Sequence, residues 1–426
     1  MDNRITKLQA FLDSAHSQYH AVAGIVEILE QAGYTCLQEQ DQWQLVPGGK
    51  YYLTRGGSAL VAFRIPEEKP KGFLMAAAHT DRPAFKLKEN GELTGKYTRL
   101  ATEKYGGMLL STWLDRPLSL AGRVMVETEA GICSRLVDLD RDLLVIPSVA
   151  IHLNPKVNEG YAWNPAVDTL PLLGGEDAAG KLGALLEQAA GGKILGSDLY
   201  LYLRQDSRIC GLEEEYICGQ GLDDLMCSWC CAQGFVNSQT GGSVPVLCLF
   251  DSEEVGSASV QGACSDFLQS ALDRICKACG WQLEQLLRQS FMISADNAHA
   301  LHPNHPELSD STNAPLVNGG VVLKFNANLR YATDGVAAAL LRKLCQRADV
   351  PLQTYYIRAD MLGGTTLGSL SLAQVAVPTA DIGLAQLAMH AAWETAGVRD
   401  VAYLEKLMQT YFGSTLACPQ EGTYTI

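Results

Sequence analysis

The chain has no apolar run of the roughly 18 or more residues that a membrane-spanning helix requires. Its longest apolar tracts hold Gly, Pro, Asp or Ser within a few positions. It also lacks a basic run. Lys and Arg number 33 against 47 Asp and Glu, for a net charge of -14, which argues against nucleic-acid binding because phosphate contacts need clustered cations. The first residues, MDNRITKLQAFLDSAH, show no continuous apolar core of the kind a secretion signal carries. A disulfide framework is not indicated either: the 13 cysteines are odd in number and scattered from Cys36 to Cys418. That usage fits free thiols in a reducing, cytoplasmic setting. There is no internal repeat and no low-complexity tract.

What is present is a long chain able to bury a large core, with 47% hydrophobic and 19% charged residues over 426 positions. Residues 5–32 read as one helix, with Ile5, Leu8, Leu12, Val22, Ile25 and Leu29 at helical spacing and Gly33 as its stop. YYLT, SALVAFRI and GFLMAAAH (72–79) follow as strands, the last apolar throughout, as a buried central strand is. Between 88 and 217 the character changes. Short alternating segments (RVMVETEAGICSRLVDLD, DLLVIPSVAIHLN) and a glycine-rich stretch with one weak helix predict a β-rich insertion. From about 218 helix-like and strand-like runs alternate again, which predicts an α/β sheet covered on both faces. The expected organisation is a discontinuous α/β domain, 1–87 and 218–426, interrupted by an inserted domain, 88–217.

Several apolar runs finish in a side chain that can bind a metal. GFLMAAAH ends in His79, with Asp81 two positions on; SFMISAD ends in Asp296; PVLCLFD runs into Glu253 and Glu254. The helix LDDLMCSW opens with Asp223 and Asp224, and His390 follows DIGLAQLAM. In open α/β sheets the ligand crevice lies outside the carboxyl ends of the strands, so such residues converge there. Two histidines and several carboxylates suit a pair of divalent ions, Zn foremost, with Mn or Co also accommodated. Asp81 is placed to accept the second ring N–H of His79. The adjacent glutamates can then divide the work, one binding an ion and the other acting as general base on a water whose pKa the ion lowers from about 16 to roughly 7. The same residues also fit a bland reading, with His79 a core histidine and the acids helix caps or loop residues.

At these residues the chain resembles the M18 metalloaminopeptidases, the aspartyl aminopeptidases, over nearly its whole length. The matching segments run in the family's order and include AAHTDRPAFKLK, YGGMLLSTWLDRPLSLAGRV, GLDDLMCSWC, LFDSEEVGSASVQGA, SADNAHALHPN, KFNANLRYATD and DIGLAQLAMH. The resemblance implies an α/β/α sandwich catalytic domain with a mixed sheet, interrupted by a β-rich dimerisation domain, in homo-oligomers that are often dodecamers. It implies one ion held by His79, Asp223 and Asp296 and a second by Asp223, Glu254 and His390, with Glu253 as base and Asp81 supporting His79. It also implies peptide substrates with an N-terminal Asp or Glu, read by His299 and Lys324, with Tyr331 lining the site.

Some positions depart from the family pattern. Ser111 stands where many members have a His thought to reach a neighbouring subunit's active site, and Pro117 replaces an acid. Gly221 replaces an Arg, Asp224 an Asn, and Trp393 another Arg. None removes a ligand or the base, but the lost cations bear on acidic-substrate selection. Three other readings remain at this stage: a two-metal peptidase or amide hydrolase for neutral substrates, a silent shell of the same fold, and a zinc-ribbon-like protein built on CSWCC and CKAC. Against the last, the two C-x-x-C pairs are over forty residues apart and lie in helical patterns.

Overall fold

The computed structural model describes residues 3–426. Its centre is a nine-stranded mixed sheet in the order Thr35–Cys36, Lys50–Arg55, Ala59–Arg64, Val244–Phe250, Phe73–His79, Phe291–Ala295, Thr379–Gly383, Val321–Phe325, Leu352–Tyr356. Four neighbouring strands, Val244–Phe250 to Thr379–Gly383, run parallel. The strand Phe73–His79 is buried along its whole length. Leu74, Ala76 and Ala78 face one apolar cluster, and Phe73, Met75 and Ala77 face the other. Successive residues point to opposite faces, so both faces are covered, and no polar alternation marks the strand in the sequence. Helices Leu222–Asn237, Gly335–Ala348 and Val398–Phe412 contribute to the first cluster, Phe267–Cys279 to the second. The α/β/α layering expected from the sequence is therefore the one observed.

A separate six-stranded sheet, antiparallel throughout, is built from residues between Ala84 and Leu203 in the order Gly131–Asp138, Leu118–Thr128, Ile194–Leu203, Ala84–Leu93, Tyr97–Tyr105, Leu172–Gly175. The weak helix of the glycine-rich stretch is Lys181–Ala190. A small five-stranded sheet joins Arg208–Cys210, Tyr216–Gly219, Glu394–Gly397, Ala385–Leu387 and Ala298–His299.

Two local expectations are corrected. The helix read over 5–32 is two helices, Asn3–Leu12 and Gln18–Gln31. Ser17 breaks it: its backbone is extended (φ -153°), and its hydroxyl accepts the His20 N–H as an N-cap. The alternating run DLLVIPSVAIHLN forms no strand; only isolated bridges at Leu144 and Val145 pair with Leu118 and Leu172, and Val149, Ile151 and Leu153 are exposed. Its alternation does not correspond to a buried and a solvated face. The cysteine-based reading also fails: Cys227, Cys230 and Cys231 sit in the core on one side of the large sheet, Cys276 on the other, and all are free. Among the described residues no helix is long and apolar enough to cross a membrane.

Candidate functional site

Strand register carries the first side chains together. Phe250 pairs with His79, and Ser294 with Ala77, so Glu253, His79 and Asp296 emerge side by side from the carboxyl ends of three neighbouring strands. Asp223 opens the helix Leu222–Asn237. His390 stands in the loop between Ala385–Leu387 and Glu394–Gly397, in a left-handed conformation (φ 65°) that is uncommon for a side-chain-bearing residue.

Asp223 is the centre of the arrangement. Its Oδ1 lies 3.6 Å from His79 Nε2, and its Oδ2 lies 3.4 Å from His390 Nε2. On the His79 side, Asp296 Oδ1 is 4.0 Å from the same Nε2; on the His390 side, Glu254 Oε2 is 3.4 Å from that Nε2. Two triads result, His79–Asp223–Asp296 and Asp223–Glu254–His390, each with its donor atoms within 4.8 Å of one another. Donor atoms of a tetrahedral zinc site sit about 3.4 Å apart, because each lies about 2.0–2.1 Å from the ion. The spacings are close to that figure.

The electrostatics fit cations as well. Burial pushes the Glu253 carboxyl up to about 8, with Asp296 and Asp81 adding to it. Burial and Asp223 raise Glu254, and burial raises Asp296 to about 6 against the pull of Lys324. Burial also raises Asp223, but His390 and His79 outweigh it and hold that carboxyl well below its usual range. Asp223 Oδ1 and Glu254 Oε1 are buried without a hydrogen-bond partner. Crowded carboxylates with unclaimed oxygens, gathered around two imidazoles, are the donor set that divalent ions satisfy.

The glutamate pair is not on a strand at all. Ser252, at φ 66°, turns the chain into a short 3-10 helix, Glu253–Val255. The main-chain N–H groups of Glu253 and Glu254 donate to Asp81 Oδ1 and Oδ2 at 3.1 Å each, and Tyr105 Oη donates to Oδ2 at 2.8 Å. Asp81 thus fixes the turn that aims both glutamates. Its closest contact with His79 Nδ1 is through its carbonyl oxygen, at 3.0 Å, with the carboxylate at 3.4 Å. Among the described residues the Glu253 carboxylate has no protein hydrogen-bond donor, which leaves it available.

Lys324 is buried, and its ammonium donates to the Asp296 carbonyl at 2.7 Å, Asp296 Oδ2 at 3.2 Å and the Asn297 carbonyl at 3.3 Å. The same ammonium lies 5.1 Å from the Tyr331 ring centre. His299 packs edge-on to Tyr355 at 6.2 Å and lines a cavity of about 420 Å³ with Arg358, Gln386 and Ala388. Gly221 has φ +65°, and a Cβ there would meet Arg82 Cδ at 2.7 Å. Arg82 therefore packs directly against Gly221, and its guanidinium donates to the His16 carbonyl. Trp393 packs on the apolar cluster of the six-stranded sheet, and Ser111 is exposed.

A model of the aminopeptidase I zinc metalloprotease family (M18) matches residues 11–412. The chain belongs to that family. A probable M18 family aminopeptidase 2 of Clostridium acetobutylicum is 38% identical over 427 residues, covering 95% of this chain and 98% of the relative. Among solved structures, the chain resembles one from a cryo-EM study of an Ape4 and Nbr1 complex, at TM-score 0.93 and 35% identity over 96% of this chain and 85% of that one. It also resembles the mApe1 dodecamer of S. cerevisiae, at TM-score 0.85 and 27% identity over 96% of each chain. As an M18 member the protein is a metal-dependent aminopeptidase, and zinc is the family's metal.

Sequence reasoning missed the supports. Tyr105 bonds Asp81, Glu394 bonds the main chain of Asp223 and His390, and Asn297 and Gln386 link Lys324 to Glu394. Asn297 directly follows Asp296, and Gln386 and Glu394 lie four positions either side of His390, but nothing in that spacing marks them as supports.

Proposed function

We propose that the chain is an aminopeptidase with two divalent ions per subunit, most simply zinc, that prefers N-terminal Asp or Glu. The observation that carries this reading is the position of Asp223, one oxygen towards His79 and the other towards His390. His79, Asp223 and Asp296 would hold one ion, and Asp223, Glu254 and His390 the other. When bound, such ions polarise a carbonyl and acidify water. Glu253, unclaimed by protein donors and with its affinity for protons raised by burial, takes the proton of the attacking water and delivers it to the leaving amine. Asp81 keeps Glu253 and Glu254 in register for that exchange.

The acidic preference is supported by the cations around the pocket. Arg358 lines the cavity with His299, and the buried Lys324 ammonium lies against Asp296, whereas the chain as a whole carries -14 and repels an acidic substrate at long range. His299, Lys324 and Tyr331 are the residues proposed to read the substrate side chain. The six-stranded sheet is proposed as a dimerisation domain, inserted at 88–217 into a catalytic domain of 1–87 and 218–426. The dodecameric state of the yeast relative supports a homo-oligomer here, and the free cysteines support a cytoplasmic location.

The test is hydrolysis of aminoacyl anilides bearing Asp, Glu, Leu, Ala or Lys by Zn-, Mn- and Co-loaded protein. Preferential cleavage of Asp and Glu is expected. Cleavage of neutral residues alone would replace the acidic preference with the neutral-substrate reading.

A further inference from the structure

Among the supports of the candidate centre, one buried carboxylate joins two of its residues. Glu394 is buried at 2% exposure in the strand Glu394–Gly397. Its Oε2 accepts the main-chain N–H of Asp223 at 3.1 Å, and its Oε1 accepts the main-chain N–H of His390 at 2.8 Å. One side chain therefore pins the backbones of two residues that are 167 positions apart in the sequence and that both face the second triad. The carbonyl side of His390 is tied as well, since Leu109 N–H donates to the His390 carbonyl at 3.0 Å. Gln386 Nε2 reaches Glu394 Oε1 at 3.4 Å, while Gln386 Oε1 accepts from Asn297, whose carbonyl receives Lys324. A continuous buried network thus runs from Asp296 to His390.

We propose that Glu394 is a positioning residue that holds Asp223 and His390 at the spacing the second ion requires. The chemistry demands a carboxylate at this point. Two main-chain N–H donors arrive, one at each oxygen, with the Gln386 amide also at Oε1; an amide in place of Glu394 offers a single acceptor oxygen and would turn its own N–H groups against one of the main-chain donors. His79 and Asp296 are positioned by the large sheet and by Lys324, so the ion on their side depends less on Glu394.

This inference rests on the two-ion reading, and the test separates the two. Zinc-loaded wild-type, Glu394→Gln and Asp400→Asn proteins are dialysed against a graded chelator, and the zinc retained per subunit is counted. Asp400 is the matched control: a buried carboxylate that accepts the N–H groups of Asn318 at 2.7 Å and Gly320 at 2.8 Å, away from the centre. Glu394→Gln is expected to release one of its ions at chelator about 10–100-fold more dilute than the wild type needs. Asp400→Asn is expected to follow the wild-type retention curve even where it melts at lower temperature. Superimposed curves for Glu394→Gln and a wild type that holds two ions would overturn the role of Glu394. So would equal loss from Asp400→Asn, which would mark the effect as general loosening. A wild type that never holds more than one ion would overturn the two-ion reading itself. Hydrogen exchange on the wild-type holoenzyme needs no variant: the Asp223 and His390 amides should be as protected as those of Phe73–His79, and rapid exchange at either contradicts the proposal.

Discussion

The main-chain N–H of Glu253 donates to Asp81 Oδ1 at 3.1 Å, across 172 positions of sequence. That contact, with its twin from Glu254 to Oδ2, is what allows two like charges to sit side by side: the peptide dipoles are tied down and the carboxylates splay from a 3-10 turn. Asp81→Asn keeps the volume but leaves one acceptor for two N–H groups. The expected result is a fall in kcat of about 10–100-fold with little change in KM, because the effect falls on the aim of Glu253 and not on substrate contacts. Equal kcat in variant and wild type would show that the turn holds itself.

Lys324 and Asp296 form a buried pair, their side chains 1% and 11% exposed. Lys324→Met removes the lysine partner of the Asp296 carboxylate in the metal-free protein and leaves only the longer contact to His79. We expect a loss of about 3–5 kcal/mol in the apo form, the usual cost of breaking a buried ion pair from one side. Zinc should recover part of it by replacing the missing positive charge. Thermal melting with and without zinc checks this, and kinetics on Asp and Leu anilides shows whether the lysine also reads the substrate. A selective loss of Asp cleavage assigns it to specificity; a uniform loss assigns it to holding Asp296.

His20 gives a pH dependence remote from the centre. Burial pushes its imidazole down to about 4 from 6.5, and its Nδ1 lies 2.8 Å from Ser17 Oγ at the helix start. Between those two values the unfolded chain binds the proton more readily than the folded one, so stability rises with pH across the window. The contribution is full above about 6.5 and lost as pH falls towards 4, worth about 3 kcal/mol at most. Glu and Asp titrations overlap the lower part, so the measurement is the difference between wild type and His20→Gln in urea unfolding at several pH values. A difference that does not change between pH 7 and 5 contradicts the assignment.

The parts of this molecule legible in the sequence are those encoded by local runs. A strand such as Phe73–His79 announces itself as an apolar stretch ending abruptly in a polar residue, and the convergence of strand ends follows from the α/β arrangement alone. The break at Ser17 was hidden because the apolar spacing continues across it; only the cap chemistry distinguishes two helices from one. The run 142–154 differs for the opposite reason, having alternation but only two isolated bridges, at Leu144 and Val145, to use it. The supports of the site were least legible. Glu394 and Tyr105 act through side-chain hydrogen bonds, among them ones to Asp223 and Asp81 far away in sequence, and such bonds impose no period or spacing on their neighbours. Lys324 was expected to face the substrate, and its three contacts with Asp296 and Asn297 emerge only when the strand Val321–Phe325 is placed in the sheet.

Glu253 is the group on which turnover depends most directly. The decisive measurement is the zinc content, melting temperature and turnover of Glu253→Ala beside the wild type. The prediction is two ions per subunit in both proteins, melting temperatures that agree closely, and turnover reduced about 10²–10⁴-fold. A variant that keeps its zinc and turns over at the wild-type rate would contradict the account, because some other group would then be moving the proton.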